Sequence, residues 1–359
     1  MANPEVNDLA EFVSSLGGGD GLRIEERLGN GYVRLRISEA ERRQALHDIR
    51  SVEDAVIELL RNSRDAGARR IYVATSRDDT LRTITIIDDG SGIPKTMHAK
   101  VFDARVTTKL DTVHMDRWGI HGRGMALYSI KHNAESARVV ASDLGLGASI
   151  EAVFNVNKVT ERADQSTWPK VKRDGESFEV RGPKNVARAC VEFALESKDD
   201  CRVYLGSPSE VVATMRKRVE VPMELIGSGQ TTNVENLPLV VRPACATDAR
   251  GLQWAAETLG ISMSERTAHR IVRHQIAPVK NVLAKVLGTS VSTRRSLTNS
   301  SQTRRLMLSE KDKEELGDNL AKAFAIIAER YYVKLDGQPR IRIDSEAIHV
   351  SFGYCDSDD

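Results

Sequence analysis

Residues 56–66 constrain the fold of this chain most, because their side chains separate into two helical faces. In a helix that begins at residue 52, small or apolar side chains recur at three- and four-residue spacing: Val52, Val56, Leu59, Leu60 and Ser63. Glu58, Asn62 and Asp65 follow the spacing i, i+4 and i+7 and form a polar stripe beside the apolar one. Two carboxylates and an amide then line up over roughly 10 Å of helix. By itself, this stripe fits the polar edge of a surface helix even better than a binding site.

The composition is that of an ordinary globular protein without an overall bias in charge. The 359 residues include 52 basic and 51 acidic side chains, so any attraction to nucleic acid or to a membrane surface has to be local. Four cysteines lie far apart without a Cys-x-x-Cys pair, which argues against a zinc site or a disulfide framework. Neither a leader pattern nor a run of roughly 18 apolar residues is present, so we expect a soluble, cytoplasmic protein.

Periodicity and turn signals divide the chain into five predicted segments. These are a flexible N-terminal arm at 1–30, a helix-on-sheet α+β domain at 31–160, a second α/β domain at 175–288, a basic Ser/Thr-rich linker or loop at 289–305, and a C-terminal helix and β-hairpin at 306–359. Ser38 and Glu41 have the capping-box spacing of a helix start, and two runs of alternating residues, 71–75 and 81–87, predict a hairpin. In the second domain, residues 239–242 are predicted to form a strand.

Two glycine-containing segments have the character of ligand-binding loops. The predicted hairpin ends in Asp88-Asp89-Gly90-Ser91-Gly92-Ile93, where glycine allows a sharp turn and the close approach of a ligand. A carboxylate at such a turn can accept a hydrogen bond from an exocyclic amine, such as that of adenine. Further on, Gly119-Ile120-His121-Gly122-Arg123-Gly124 opens a predicted helix, whose free N–H groups suit phosphate. Each segment is a weak signal alone, because unrelated folds use similar turns.

In this order and spacing, the segments resemble the nucleotide-binding boxes of the GHKL ATPase superfamily, which includes gyrase B-type topoisomerases, heat-shock chaperones, histidine kinases and MutL-type repair proteins. Residues 58–68 look like the first box and are closest to its MutL form, and residues 88–93, 119–124 and 145–149 look like the later boxes. The resemblance covers roughly residues 35–160. It implies an α+β fold, the GHKL (Bergerat) ATP-binding α/β sandwich with a mixed sheet covered on one face by helices, followed by a second α/β region.

The resemblance also implies a role for each box residue. Glu58 would be the catalytic general base that activates water, and Asn62 would hold Mg²⁺ through its amide oxygen. Asp88 would accept a hydrogen bond from the adenine amino group. Lys109 would reach a phosphate, although a solvated surface lysine explains this residue equally well. The implied nucleotide-binding residues are Asn62, Asp65, Ala66, Asp88, Gly90, Gly92, Ile93, Lys109, Gly119, Gly122, Gly124 and Ser149. Asp89 stands where the second box usually has Asn, and the serine of the last box stands where Thr is usual.

A local excess of basic residues appears in the second half of the chain. Residues 266–308 contain no acidic side chain and nine basic ones: Arg266, Arg270, Arg273, Lys280, Lys285, Arg294, Arg295, Arg304 and Arg305. This pattern fits a contact with nucleic acid through residues 266–305, and equally a solvated face balanced by acidic neighbours. Residues 256–272 also resemble a helix-turn-helix, although an ordinary packed helix pair is the simpler interpretation.

These features predict a Mg²⁺-dependent ATPase that binds ATP and works as a nucleotide-driven conformational switch. An ATP-dependent homodimer and contact with DNA are its candidate partnerships. A nucleotide-gated chaperone or adaptor with little turnover is an alternative, and a serine kinase resembling anti-sigma factors is a third. The long C-terminal extension makes the kinase less favourable.

Overall fold

The computed structural model describes residues 24–108, 114–116, 119–121, 124–174, 177–219, 236–287, 310–328, 333–337, 339–343, 348–351 and 353–356. The chain forms two compact units, Met1–Ser292 and Thr293–Asp359. Several parts of the sequence predictions fall outside the described residues: residues 1–23 of the predicted arm, Lys109, Gly122 and the predicted linker 289–305.

Strands and helices alternate through the first unit. Its strands are β1 Ile24–Gly29, β2 Tyr32–Leu35, β3 Arg70–Asp78, β4 Leu81–Asp88, β5 Val106–Thr107, β6 His114–Asp116, β7 Gly119–His121, β8 Ser136–Asp143, β9 Gly147–Asn155, β10 Lys170–Asp174, β11 Ser177–Arg181 and β12 Arg202–Gly206. Its helices are α1 Glu39–Leu46, α2 Val52–Asp65, α3 Ala126–Asn133, α4 Val186–Glu196, α5 Pro208–Arg218, α6 Arg242–Cys245, α7 Ala249–Glu257, α8 Glu265–Val272 and α9 Val282–Val286. Short 3₁₀ turns occupy Lys95–Met97, Lys100–Phe102 and Leu239–Val241.

The central sheet of this unit has five strands in the spatial order β12, β3, β4, β9 and β8. Neighbouring strands are antiparallel except for β12, which runs parallel to β3. Strands β3 and β4 form the predicted hairpin, and the last residue of β4, Asp88, lies opposite Ile71. This mixed sheet with helices packed on it confirms the α+β class.

Helices cover both faces of the central sheet. Successive side chains of a strand point to opposite faces, so neighbouring residues of β3 and β4 enter different cores. On one face, Ile84 and Ile86 pack with apolar residues of α2 and α4. On the other face, Tyr72 and Ile87 pack with residues of α5, α7 and α8. The resemblance implies helices on one face of the sheet only. Helices α5, α7 and α8 of the second half of the chain cover the other face.

Two segments differ from the sequence predictions. Residues 239–242, predicted to be a strand, form a 3₁₀ turn that continues into α6, so this prediction is wrong. Pro238 and Pro243 explain the difference, because proline has no N–H to donate to a sheet and fits the first turn of a helix. Part of the predicted N-terminal arm, β1, is a strand that pairs with β2 across a turn, where Asn30 has a φ of 51°.

The second unit contains one helix and two strand pairs among its described residues. Helix α10 spans Glu310–Ala328. Strands β13 Val333–Leu335 and β16 Tyr354–Asp356 pair antiparallel, as do β14 Arg340–Ile343 and β15 Ile348–Ser351. None of the helices that the structure describes combines the length and apolar character that a membrane crossing requires.

Candidate nucleotide-binding site

A cavity of about 630 Å³ opens between α1, α2, the loop after β4 and the start of α3. This volume lies in the range of ordinary small-molecule sites. Its walls include most of the predicted site residues that the structure describes: Glu58, Asn62, Asp65, Ala66, Asp88, Gly92, Ile93 and Gly124. Ala148 of the last box also lines the cavity, so the structure brings all four boxes together, although they are spread over about ninety residues of sequence.

Helix α2 supplies one wall through the polar stripe that its sequence predicts. Ser51 and Asp54 form a capping box that fixes the start of the helix. The apolar stripe is buried, which turns the polar stripe towards the cavity. Within that stripe, Nδ2 of Asn62 is buried and has no hydrogen-bond partner among the described residues. A buried amide without a partner is costly in a native fold, so Asn62 has the character of a ligand-binding group.

Asp88 lines the cavity where β4 ends, beside α2. Its carboxylate is buried and accepts hydrogen bonds from the Ser63 hydroxyl at 2.8 Å, the Gly90 N–H at 2.9 Å and the Ala148 N–H at 3.3 Å. Burial raises the pKa of Asp88 to about 6, while these three hydrogen bonds act in the opposite direction. The group is an ionised acceptor at neutral pH, as recognition of an amine requires.

Glycine allows the loop after β4 to pack closely against the turn between β8 and β9. Gly92 has a φ of +75°, and a Cβ placed there would lie 1.9 Å from the carbonyl oxygen of Asp143. Ile93 follows, and its N–H donates to the Ser142 hydroxyl at 2.6 Å. Gly90 lies beside Ala66, whose carbonyl accepts the Ser91 N–H at 2.9 Å. These contacts join the second box to α2 and to the last box.

The third box is described in part. Gly119 lies in β7, which pairs with β6. Gly124 lies just before α3 with a φ of +69°, and its carbonyl accepts the Arg105 N–H at 2.9 Å. The N-cap position of α3, Met125, has no side-chain cap, which leaves the first turn of this helix available to an anion.

Ser149 does not lie in the cavity, in contrast to the sequence expectation. Ala148 and Ile150 line the cavity, so the side chain between them points to the other face of the sheet. There the fully buried Ser149 hydroxyl donates to the Leu259 carbonyl at 2.7 Å. The correction is a shift of one residue, because successive strand residues alternate between faces. Ala148, through its N–H on Asp88, is the residue of the last box at the cavity.

Asp89, the departure from the usual Asn of the second box, faces away from the cavity. Its carboxylate accepts the N–H groups of Arg69 and Arg70 at 2.8 and 2.7 Å, and the Arg70 Nε at 2.8 Å. The side chain thus holds the start of β3 against the end of β4. Asp89 is not among the residues that line the cavity.

The cavity is also lined by two arginines that the sequence interpretation did not select. Arg61 is buried and forms an ion pair with Glu58 on the same helix. The i, i+3 spacing of these residues was the available signal. Arg105 is buried and pairs with Glu41 of α1. The sequence separates these two residues by 64 positions, so it held no comparable signal.

Comparison with known proteins agrees with this geometry. The family model described as histidine kinase-, DNA gyrase B- and HSP90-like ATPase matches residues 49–171. Over these residues the chain is similar to the GHKL ATPases, and its first box is similar to that of MutL.

Curated relatives match over a shorter stretch. DNA mismatch repair protein MutL from Thermus aquaticus is 41% identical over 85 residues, which are 23% of this chain and 15% of the relative. The protein of the same name from Thermus thermophilus is 38% identical over 84 residues, again 23% of this chain and 15% of the relative. The chain thus spans about a seventh of the length of these relatives.

Proposed function

We propose that this protein is a Mg²⁺-dependent ATPase whose nucleotide state drives a conformational switch. The observation that carries the proposal is that polar side chains from two elements line one cavity. Glu58, Asn62 and Asp65 line it from α2, and Asp88 lines it from the end of β4. The buried carboxylate of Asp88 suits the amine of adenine. The row of oxygen atoms on α2 suits Mg²⁺ and the phosphates at the other end of ATP.

In this proposal the polar stripe of α2 carries the chemistry. The carboxylate of Glu58 orients a water molecule and accepts its proton, which requires an acceptor close to the reacting phosphate. The amide oxygen of Asn62 binds Mg²⁺, a hard cation that prefers oxygen ligands. The buried, unpartnered amide nitrogen of Asn62 supports a ligand-binding role for this side chain. When bound, Mg²⁺ would neutralise charge on the phosphates.

The remaining cavity residues bind and orient the nucleotide. Asp88 accepts a hydrogen bond from the adenine amino group, and Gly92 and Ile93 form the floor beside the base. Asp65 and Ala66 lie at the same end of α2. Gly124 and the uncapped start of α3 present backbone N–H groups to the phosphates.

The Glu58→Gln variant tests the role of the general base. We expect ATP binding to be retained and hydrolysis to fall by roughly 10²- to 10⁴-fold, because glutamine cannot accept the proton. Glu39→Gln is the matched control, since Glu39 is an exposed residue of α1 that pairs with Arg43. Hydrolysis at the wild-type rate by Glu58→Gln, with ATP bound, would contradict the assignment.

One contact favours a second candidate function, a nucleotide-gated binding protein with little turnover. The Arg61 guanidinium occupies an oxygen of the Glu58 carboxylate, and Arg61 is almost fully buried. A base held by a cation is a poorer proton acceptor, because the cation favours its ionised form. Single-turnover and steady-state hydrolysis measurements distinguish the two candidates. Tight ATP binding with negligible product formation would favour the binding protein.

We also propose two partnerships, each with its own test. An ATP-dependent homodimer predicts that the mass in solution doubles with a non-hydrolysable ATP analogue, and a monomer under both conditions would contradict it. Contact with DNA is supported by Arg266, Arg270 and Arg273, which are exposed residues of the stretch 266–305. DNA affinity should then fall steeply with salt, and Arg270→Gln/Arg273→Gln should reduce the slope relative to Lys158→Gln. A flat response would remove DNA as a partner.

A further inference from the structure

Arg105 is a buried cation in the wall of the cavity, and the proposed function gives it no role. It lies between the 3₁₀ turn Lys100–Phe102 and β5, and 6% of its surface is exposed. A guanidinium remains charged at any ordinary pH, so its burial must be offset by partners.

The partners present in the described part of the chain do not satisfy this guanidinium. Nη2 of Arg105 forms an ion pair with the Glu41 carboxylate of α1. Nε is buried and has no hydrogen-bond partner among the described residues. Native folds rarely leave such a donor unpaired, so this one calls for a physical explanation.

The backbone of Arg105 is held beside the phosphate end of the site. Its N–H donates to the Gly124 carbonyl at 2.9 Å, and its carbonyl accepts the Leu35 N–H at 3.0 Å. The residue has a φ of +62°, a conformation that side chains other than glycine rarely adopt. Two backbone hydrogen bonds therefore hold a strained residue against the last glycine of the third box. Strain of this kind is retained where the surroundings demand one position.

Glu41 is the anionic partner that balances the charge of this guanidinium. This glutamate also completes the capping box of α1, because it accepts the Ser38 N–H at 3.0 Å. The hydrogen bond from the Ser38 backbone is the main cause that lowers the pKa of Glu41, and Arg105 adds to the effect. The ion pair is thus formed across the neutral pH range.

We propose that Arg105 is a phosphate-binding residue of this cavity, whose Nε–H contacts the phosphate chain of the nucleotide. Guanidinium donors match phosphate oxygens in geometry and charge, and the contact would satisfy the buried donor. The inference rests on the proposed function, since it requires a nucleotide in the cavity. It adds a cation that the resemblance did not assign and that lies among the described residues.

Calorimetric titration of Arg105→Gln with four ligands tests the contact. Adenosine, AMP, ADP and a non-hydrolysable ATP analogue share the base and differ in phosphate. We expect the affinity for the ATP analogue to fall roughly ten- to a hundredfold and that for adenosine to change little. Glutamine keeps the β-carbon, so the substitution does not alter the backbone strain. Arg34→Gln is the control, because Arg34 lies on β2 and pairs with Glu26 and Asp103.

A second variant keeps the test independent of folding. Glu41→Gln retains a capping-box residue while it removes the negative charge beside Arg105. We expect it to bind the ATP analogue several-fold more tightly and adenosine as the wild type does, because one anion no longer competes with the phosphates. Weaker binding of the ATP analogue by this variant would overturn the proposal.

The outcomes separate this inference from the proposed function. Equal loss for all four ligands, or no loss, in a chain whose wild type binds ATP overturns the role of Arg105 alone. A wild-type chain that binds none of the four ligands overturns the proposed function and the Arg105 contact together.

Discussion

The Ser63 hydroxyl of α2 donates a 2.8 Å hydrogen bond to Oδ2 of Asp88 at the end of β4. Both side chains are buried, so the contact fixes the helix that carries Glu58 and Asn62 against the strand that carries the proposed adenine acceptor. The two ends of the proposed site are therefore connected by one direct side-chain contact. A shift of either element would alter the distance between Asp88 and the polar stripe of α2 that carries Glu58 and Asn62.

The raised pKa of Asp88 predicts a pH limit for nucleotide binding. Because burial raises this pKa to about 6, the carboxyl gains a proton below that pH and becomes a poorer acceptor for the adenine amine. We expect ATP affinity to fall as pH drops through about 6. Asp88→Asn is the reference, because asparagine has the shape of aspartate and does not titrate. Any pH dependence of the ATP affinity of this variant belongs to the ligand. Equal pH profiles for wild type and Asp88→Asn would contradict the prediction.

The raised pKa of Asp88 also predicts how the stability of the protein changes with pH. The native pKa, about 6, is higher than the unfolded value of 3.8, so the native state binds the proton more tightly. The cost of burying the charge is fully present above pH 6 and disappears as pH falls towards 4. We expect the wild type to gain about 2 kcal/mol relative to Asp88→Asn between pH 7 and pH 4. Urea unfolding of both proteins across this range measures the difference.

Alanine variants of Gly92 and Gly145 form a matched pair that tests the close packing of the loop after β4. Both have a φ of +75°, but a Cβ at Gly92 would lie 1.9 Å from the Asp143 carbonyl oxygen, whereas one at Gly145 meets nothing within 4 Å. We expect Gly145→Ala to cost about 1–2 kcal/mol of unfolding free energy from backbone strain alone. Gly92→Ala should cost more and also weaken ATP binding. Equal losses in urea unfolding would show that the close approach is unimportant.

Different effects are predicted for two serines with different hydrogen-bond partners, Ser149 of β9 and Ser142 of β8. Ser149→Ala removes the hydrogen bond to the Leu259 carbonyl on the far face, so we expect a loss of about 1 kcal/mol of stability and unchanged ATP affinity. Ser142→Ala removes hydrogen bonds to the Ile93 N–H and the Gly147 carbonyl, and should weaken both stability and binding. A clear loss of ATP affinity in Ser149→Ala would return this residue to the nucleotide site.

Arg61 is expected to restrain the proposed general base. Arg61→Met removes the cation from Glu58 and keeps a side chain of suitable length for a buried position. We expect hydrolysis per bound ATP to rise several-fold, because this cation no longer competes with the proton of water for the carboxylate. Arg43→Met, on the surface of α1, is the control. A fall in turnover with ATP binding intact would mean that Arg61 assists the reaction.

Local patterns in the sequence determined much of this protein. The i, i+4, i+7 spacing predicted the polar face of α2, the capping pair Ser38 and Glu41 marked the start of α1, and alternation predicted the hairpin of β3 and β4. These features depend on neighbours within a few residues, which the sequence shows directly. The order of the boxes then indicated the ATP-binding fold.

Only the tertiary structure decided which side chains meet. Strand pairing put Ala148 at the cavity and Ser149 on the opposite face, a difference of one residue that composition does not reveal. Packing brought Arg105 to Glu41 across 64 positions and laid helices of the second half against the far face of the sheet. These contacts depend on register and on long-range packing of several elements at once, whereas the periodicity of one segment records only which of its own faces is buried.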